Sequence, residues 1–409
     1  MEEQRRNQGV RDPIYLTCIA VSSGNETILL FDGDLLSISD WGAEKICQAV
    51  CPVTGIPANK VFCGATHTHS APSFSVEMPT QIPFYELVVG AAVKAAQQAL
   101  ADRAPARLNS VTKNVKNMNF IRHYLMEDGT YAGSNFGNND QGYVNHAAES
   151  DPRMMLVQFA REGKKDILLL NWQAHNDGVS FVGRYLISSS YTGEVRKTIE
   201  EKTGVHFAFF MGAAGNQNPG SCIEREKHGM DHFTYGRKLA EYAIAAMREL
   251  KPVLGTDIVT MRRIFDAPVN HSMDHMVEQA KSVVAVWEAE GKKAGDALGK
   301  TYGFGSVYQA NAVIEKSQMS AVFSIALNAF RIGELAFVTC PNDTFSNVGI
   351  HVRLHGPFEN TCIITGNHRY LPCMAAYEYD SYEAVTTYHT KGSAEAVANI
   401  LVEMLEAIQ

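Results

Sequence analysis

Apolar residues along this chain recur in two rhythms. Short, nearly unbroken runs rich in Val, Ile, Leu and Phe predict strands over residues 15–21, 27–36, 60–65, 153–160, 166–172, 206–211, 320–330 and 334–339. Apolar positions at helical spacing predict helices over residues 40–51, 84–103, 193–202, 233–250, 273–290 and 393–408. In the second of these, Val88, Val89, Ala92, Val93 and Ala96 lie along one face, as a buried stripe does. Such alternation predicts an α/β (or α+β) fold of layered mixed sheets flanked by helices. No repeat, low-complexity tract or Pro/Ser linker divides the chain, so residues 1–409 read as one domain. Residues 273–316 read as a helical insertion without identifiable chemistry. Gly303-Phe304-Gly305 inside it lacks the third glycine of a dinucleotide fingerprint and reads as a loop.

Composition narrows the function classes. A chain of 409 residues that is 45% hydrophobic buries a core without staples and is not disordered. Its 36 Lys+Arg against 44 Asp+Glu give a net charge of −8, and basic residues cluster no further than short pairs such as Arg5-Arg6 and Arg262-Arg263. That excludes the basic stripe of a nucleic-acid binder. No apolar run approaches the roughly 18 residues of a membrane span. The opening MEEQRRNQG is polar with no apolar run behind it, unlike a signal peptide. Eight cysteines are scattered, with Cys47 and Cys51 at helical i,i+4 spacing rather than in a CxxC site. Free buried thiols in a reducing, cytoplasmic compartment are the expectation.

Chemistry collects where four apolar runs end in polar residues. Cys63-Gly64-Ala65 leads into Thr66-His67-Thr68-His69, and Leu170-Asn171-Trp172 leads into Gln173-Ala174-His175. Phe210-Met211 leads into Gly212-Ala213-Ala214-Gly215-Asn216-Gln217-Asn218, and Val338-Thr339-Cys340 into Pro341-Asn342-Asp343. Ligands of α/β proteins bind outside the carboxyl ends of strands, so these four ends have reason to converge. In an extended His-Thr-His, alternation with period 2 sets both imidazoles on one side. Three histidines and a carboxylate form a borderline-soft N/O set suited to Zn²⁺ with an open position for water. The glycine turn lets backbone N–H groups approach a substrate or a developing oxyanion. No GxSxG elbow or thiol–histidine pair supports a serine or cysteine nucleophile. Plain alternatives stay open at this level. Strand-end histidines also serve as ordinary hydrogen-bonding residues, the glycine turn as a tight turn, and Asp343 as a helix N-cap.

Ala65-Thr66-His67-Thr68-His69-Ser70-Ala71-Pro72 resembles the THTHSGP motif of the neutral/alkaline, non-lysosomal ceramidase family. The likeness continues in order through Asn119-Phe120-Ile121-Arg122-His123-Tyr124, Asp151-Pro152, and Asn171-Trp172-Gln173-Ala174-His175. It extends through Leu186-Ile187-Ser188-Ser189-Ser190-Tyr191, Gly212 to Pro219, Thr339 to Phe345, Tyr370-Leu371-Pro372, and Tyr379-Asp380-Ser381-Tyr382-Glu383. Only THTHS is distinctive alone; the ordered set, from about Asp12 to Ala396, is specific.

The resemblance implies a ceramidase catalytic-domain fold and a single zinc ion held by His67, His175, Asp343 and Tyr370. It implies catalytic roles for His69, Arg122 and Tyr382: His69 as general base or proton donor, Arg122 orienting the substrate, Tyr382 near the scissile group. The substrate and oxyanion loop would be Gly215, Asn216 and Asn218. The implied reaction is attack of zinc-activated water on the carbonyl of a small-molecule or lipid-like N-acyl substrate. Asp343 replaces the family's glutamate, Asn218 its serine, Asn216 an aspartate, and Ser190 another aspartate, so a serine nucleophile is not available. The family's longer members carry a C-terminal immunoglobulin-like domain and an opening N-terminal strand, and the reading expects a divergent member without them. Two alternatives stay open beside the amidase reading. One is a non-catalytic or metal-poor binding protein on this scaffold; the other is a hydrolase of small soluble esters, lactones or acylated sugars.

Overall fold

The structure, a computed structural model, describes residues 7–75, 82–133, 142–177, 185–221, 223, 230–366, 368–378 and 381–409. Arg5, Arg6, Tyr379 and Asp380, named above, lie outside the described residues.

Runs of β-branched and aromatic residues pair into three sheets that matter for the site. Strands Leu16–Ser23, Glu26–Gly33 and Val61–Ala65 form the first, with the last two parallel. The second orders His206–Met211, Ile167–Trp172, Arg153–Arg161, Ala106–Asn114 and Lys251–Pro252, its first two strands parallel and the rest antiparallel. The third orders Ile258–Pro268, Val322–Ile332, Leu335–Cys340 and Asn360–Thr365, with the last pair parallel. The sheets are therefore mixed, and the α/β class expected from the alternation is the one observed.

One core joins all three. Ile28, Leu30 and Phe62 meet Val157, Leu169 and Phe210 from the second sheet, and Phe330, Phe337 and Ile364 from the third. The Phe330 ring stacks on Phe62 at 4.1 Å and on Phe337 at 4.6 Å. Burying side chains of this size contributes roughly 1.5–3 kcal/mol each. Helices cover the outer faces. Asp40–Thr54 and Ile82–Ala101 pack on the first sheet, Ser190–Thr203 and His232–Ala246 on the second, Ser346–His355 and Ser393–Ala407 on the third. Local signals set their ends: Ser39 Oγ accepts from the Gly42 N–H at 3.2 Å, and Gly55 closes the first helix at φ +71°.

The segment read as a helical insertion forms three α-helices, Val277–Glu290, Lys292–Thr301 and Val307–Ser317. They share a small core of Ala280, Val283, Phe304, Val307, Ala310 and Val313. Gly303-Phe304-Gly305 is a loop between them, as expected.

Parallel pairing brings carboxyl ends of strands to a common rim. Asn171 Nδ2 donates to the Phe210 carbonyl at 2.8 Å and to the Ile363 carbonyl at 2.7 Å. Thr365 Oγ1 donates to Met211 and Gly212 carbonyls at 3.2 and 3.1 Å. These bonds tie the second and third sheets together where the functional loops begin.

Candidate active site

His67 sits two residues beyond strand Val61–Ala65, with φ at +57°. The extended His-Thr-His expected from alternation is therefore not what converges the imidazoles; a left-handed backbone at His67 does it. This conformation is costly for a residue with a Cβ and is held by its surroundings. Thr66 N–H bonds to the Gly33 carbonyl at 2.9 Å, Thr68 Oγ1 to the Ser188 carbonyl at 2.7 Å, and His69 N–H to the Asn176 carbonyl at 3.0 Å.

Three imidazole nitrogens then face one point. His67 Nε2 lies 3.0 Å from His175 Nε2 and 3.2 Å from His69 Nε2. Asp343 Oδ2 lies 3.5 Å from His67 Nε2 and 3.9 Å from His175 Nε2. His67 Nδ1 is 2.7 Å from the Leu36 carbonyl, and His175 Nδ1 is 3.2 Å from the Ala214 carbonyl. A carbonyl can only accept, so each Nδ1 carries the proton and each Nε2 is left as a lone pair. Two lone pairs 3.0 Å apart repel unless a cation lies between them. The separations bracket the edge of about 3.3 Å that a tetrahedron with bonds of roughly 2.0–2.1 Å requires. Carbonyl-anchored Nδ1–H groups are the usual support behind metal-binding histidines.

Electrostatics agrees with this arrangement. Burial, with the Arg122 charge, lowers His67 to about 4 and His175 well below the ordinary range, although the Leu36 carbonyl opposes the shift at His67. Both rings are neutral at neutral pH. His69 is pushed down to about 3 by desolvation and then by His67, but it keeps an exposed face where solvent opposes part of that shift. Burial raises Asp343 to about 7. Its Oδ1 is buried without a hydrogen-bond partner among the described residues. A buried carboxyl with an orphan oxygen beside three neutral imidazoles suits a divalent cation. His67, His69 and His175 form a cluster that could hold a metal ion.

The remaining residues from the sequence reading divide. Tyr370 pairs in parallel register with Asp343 through strands Asp343–Thr344 and Tyr370–Leu371. Its ring lies 5.4 Å from the Arg122 guanidinium carbon, and the Tyr382 ring is 6.0 Å from it. Burial and Glu383 push Tyr382 up to about 12, so the phenol keeps its proton at neutral pH. Arg122 Nε and Nη2 face Glu383 Oε1 at 2.8 and 2.7 Å, and His123 Nε2 faces Glu383 Oε2 at 2.9 Å. All three side chains are at most 3% exposed. Burial would raise Glu383, but His123 and Arg122 overcome it and hold the carboxyl well below its usual range. Glu383 and His123 were in the motifs but were not read as site residues. A buried arginine needs a counter-charge, and that need was the available signal.

In the expected oxyanion loop of Gly215, Asn216 and Asn218, several polar groups are already engaged with neighbours. The Gly215 N–H is bonded to the Thr344 carbonyl at 2.9 Å, and the Gln217 N–H to the Ala214 carbonyl at 2.8 Å. Asn216 Oδ1 accepts from the Ser346 N–H at 2.8 Å, at the start of helix Ser346–His355. Gly215 instead permits close approach, since a Cβ there would stand 2.6 Å from the Asp343 carbonyl oxygen. Asn218 pairs with Phe120 across a two-stranded ladder and leaves a buried Oδ1 unpartnered among the described residues. A separate groove of about 1310 Å³ runs along the Leu16–Ser23 strand, and His67, His69, His123 and His175 do not line it. The catalytic reading belongs to the rim, not to that groove.

Mixed sheets layered with helices carry at their strand ends a cluster of His67, His69 and His175 that could hold a metal ion, with Asp343 beside it, on an α/β scaffold. No known sequence family matches the chain, and no curated protein does. Solved structures do. Neutral ceramidase from Pseudomonas aeruginosa superposes with a TM-score of 0.66 at 15% identity, over 98% of this chain and 72% of that one. A ceramidase complexed with C2 gives 0.66 at 16% identity, over 94% and 68%. The protein has the neutral ceramidase fold. Among the described residues no helix is long and apolar enough to cross a membrane.

Proposed function

We propose that this protein is a ceramidase-like, zinc-dependent hydrolase that cleaves an N-acyl amide by adding water to its carbonyl. The convergence of His67, His69 and His175 Nε2 with Asp343 Oδ2, with two Nδ1 atoms tied to carbonyls, carries the reading. The neutral ceramidase fold supports the amide class. In this reading His67, His175 and Asp343 hold the ion, His69 completes the nitrogen set, and Tyr370 flanks it. Zinc so held supplies a Lewis acid and lowers the pKa of water to roughly 7.

The chain's own groups do the rest. Arg122, fixed by Glu383, orients a polar part of the substrate with a rigid, permanently charged fork. Tyr382 remains protonated and donates to the carbonyl oxygen as negative charge develops there. No serine stands at Asn218, so water is the nucleophile and no acyl-enzyme forms. Residues 1–409 act as one catalytic unit in this reading, with the three helices of 273–316 as an insertion.

The test is metal content with activity. Purified protein reconstituted with zinc should bind one equivalent by plasma mass spectrometry and hydrolyse a panel of short- and long-chain N-acyl substrates. His67→Ala and His175→Ala should each lose both the metal and hydrolysis. Failure to bind zinc at micromolar concentration overturns the proposal.

A further inference from the structure

The helical insertion reaches the wall of the site through two adjacent side chains. Lys316, on helix Val307–Ser317, is 1% exposed, and its Nζ donates to the Val385 carbonyl at 2.8 Å. Val385 lies in the last turn of helix Tyr382–Thr386, where carbonyls lack partners within the helix. Glu315, the residue before, accepts from Arg369 Nη2 at 2.7 Å and from the Tyr388 hydroxyl at 2.9 Å. Arg369 immediately precedes Tyr370, and its backbone is left-handed at φ +61°. The insertion therefore grips both segments that deliver tyrosines to the site. It does so from a body with its own core, Val283 and Phe304 included.

Keeping an ammonium in such surroundings is expensive, and a hydrophobic residue would fill the space at lower cost. Its retention points to the bond it makes. Through the Tyr382–Thr386 helix that bond acts on Glu383, which holds Arg122 and His123.

We infer that Lys316, assisted by Glu315, is a positioning residue that locks the Tyr382–Thr386 helix to the insertion and thereby sets Arg122. Only the activity arm of its test rests on the hydrolase reading above. Lys316→Met keeps the length of the side chain and removes its donors. Hydrogen exchange followed by mass spectrometry should show peptides over 381–388 and 119–124 exchanging about tenfold faster, the signature of a lost local bond. Bound zinc should stay at one equivalent. On an N-acyl substrate, kcat should fall about ten- to hundredfold with KM changed less than about twofold, the pattern of misplacement rather than lost binding. Val283→Ala, in the insertion core, is the control: it should lower stability yet leave exchange over 381–388 and kcat unchanged. Should Lys316→Met fail to fold, Glu315→Gln provides the second variant, with faster exchange expected over 368–371. Unchanged exchange over 381–388 in Lys316→Met, or equal loosening in Val283→Ala, overturns the inference. So does faster exchange with kcat intact. If the wild-type protein hydrolyses no N-acyl substrate, the hydrolase reading fails while the exchange data still decide the brace.

Discussion

Replacing Glu383 by glutamine keeps the side-chain shape and removes one negative charge from a place where water cannot replace it. The carboxylate is 0% exposed, with Arg122 Nη2 at 2.7 Å on one oxygen and His123 Nε2 at 2.9 Å on the other. The glutamine amide can still accept one bond, but its NH₂ must then face a donor. An arginine left buried without its counter-charge costs about 3–5 kcal/mol. Urea unfolding at pH 7 should show a loss of that size in Glu383→Gln, with the slope unchanged. Arg122→Met in the same background should restore part of it, so the double variant loses less than the two single losses together. The acid side gives a second check. Because the folded carboxyl lies below its unfolded value of roughly 4.3, its stabilisation is present above that pH and is lost as pH falls toward the folded value. The gap between wild type and Glu383→Gln should therefore begin to narrow only as pH falls below about 4. A loss under about 1 kcal/mol, or strict additivity in the double variant, would refute the assignment of Glu383 as the counter-charge.

Two further expectations test other parts of the argument. Asp40 opens helix Asp40–Thr54 and is raised to about 6 by burial, although the Ala326 N–H and Arg262 oppose the shift. A folded carboxyl above its unfolded value stabilises fully below about pH 4 and loses that contribution as pH rises through 6. Asp40→Asn, which keeps an acceptor for Ala326, should gain about 1–2 kcal/mol at pH 7 and nothing at pH 4, read as urea midpoints across that range. Asn216→Ala removes the acceptor for the Ser346 N–H and should cost about 1–2 kcal/mol of stability. Its kcat should change by less than about tenfold if that bond is its main role; a loss of about 10²–10³ would instead assign Asn216 as an oxyanion donor.

Strands buried on both faces were legible, because continuous apolar runs have few other uses. His206–Met211 was read to its observed ends. Ala106–Asn114 and Ile258–Pro268 were not read, since exposed polar residues occupy much of each and strand identity there comes from pairing with neighbours. Helix Ser346–His355 went unread because Gly349 and a polar first turn hide its stripe; its N–H partner comes from Asn216, 130 residues away. His67, His175 and Asp343 stood out as polar residues placed where a core would end. The use of the Gly215 N–H could not be read, since it depends on the Thr344 carbonyl across the rim. Residues 273–316 carry no metal-type or nucleophilic motif, so nothing in the sequence sets Lys316 apart from an ordinary helical lysine; its Val385 contact is made across 69 residues.

The rim contacts also bear on when in the life of the chain the site comes into being. His67 meets His175 across 108 residues, and Arg122 meets Glu383 across 261. Contacts this distant close slowly, because the chain entropy is lost before the contact forms. During synthesis from the amino end, His67 and His175 emerge well before Asp343, and Arg122 before its counter-charge. A nascent chain halted short of Asp343 would hold an uncompensated arginine and an incomplete set of candidate ligands. On the proposed reading, metal capture would then come late in maturation, once the chain from His67 to Asp343 is in place.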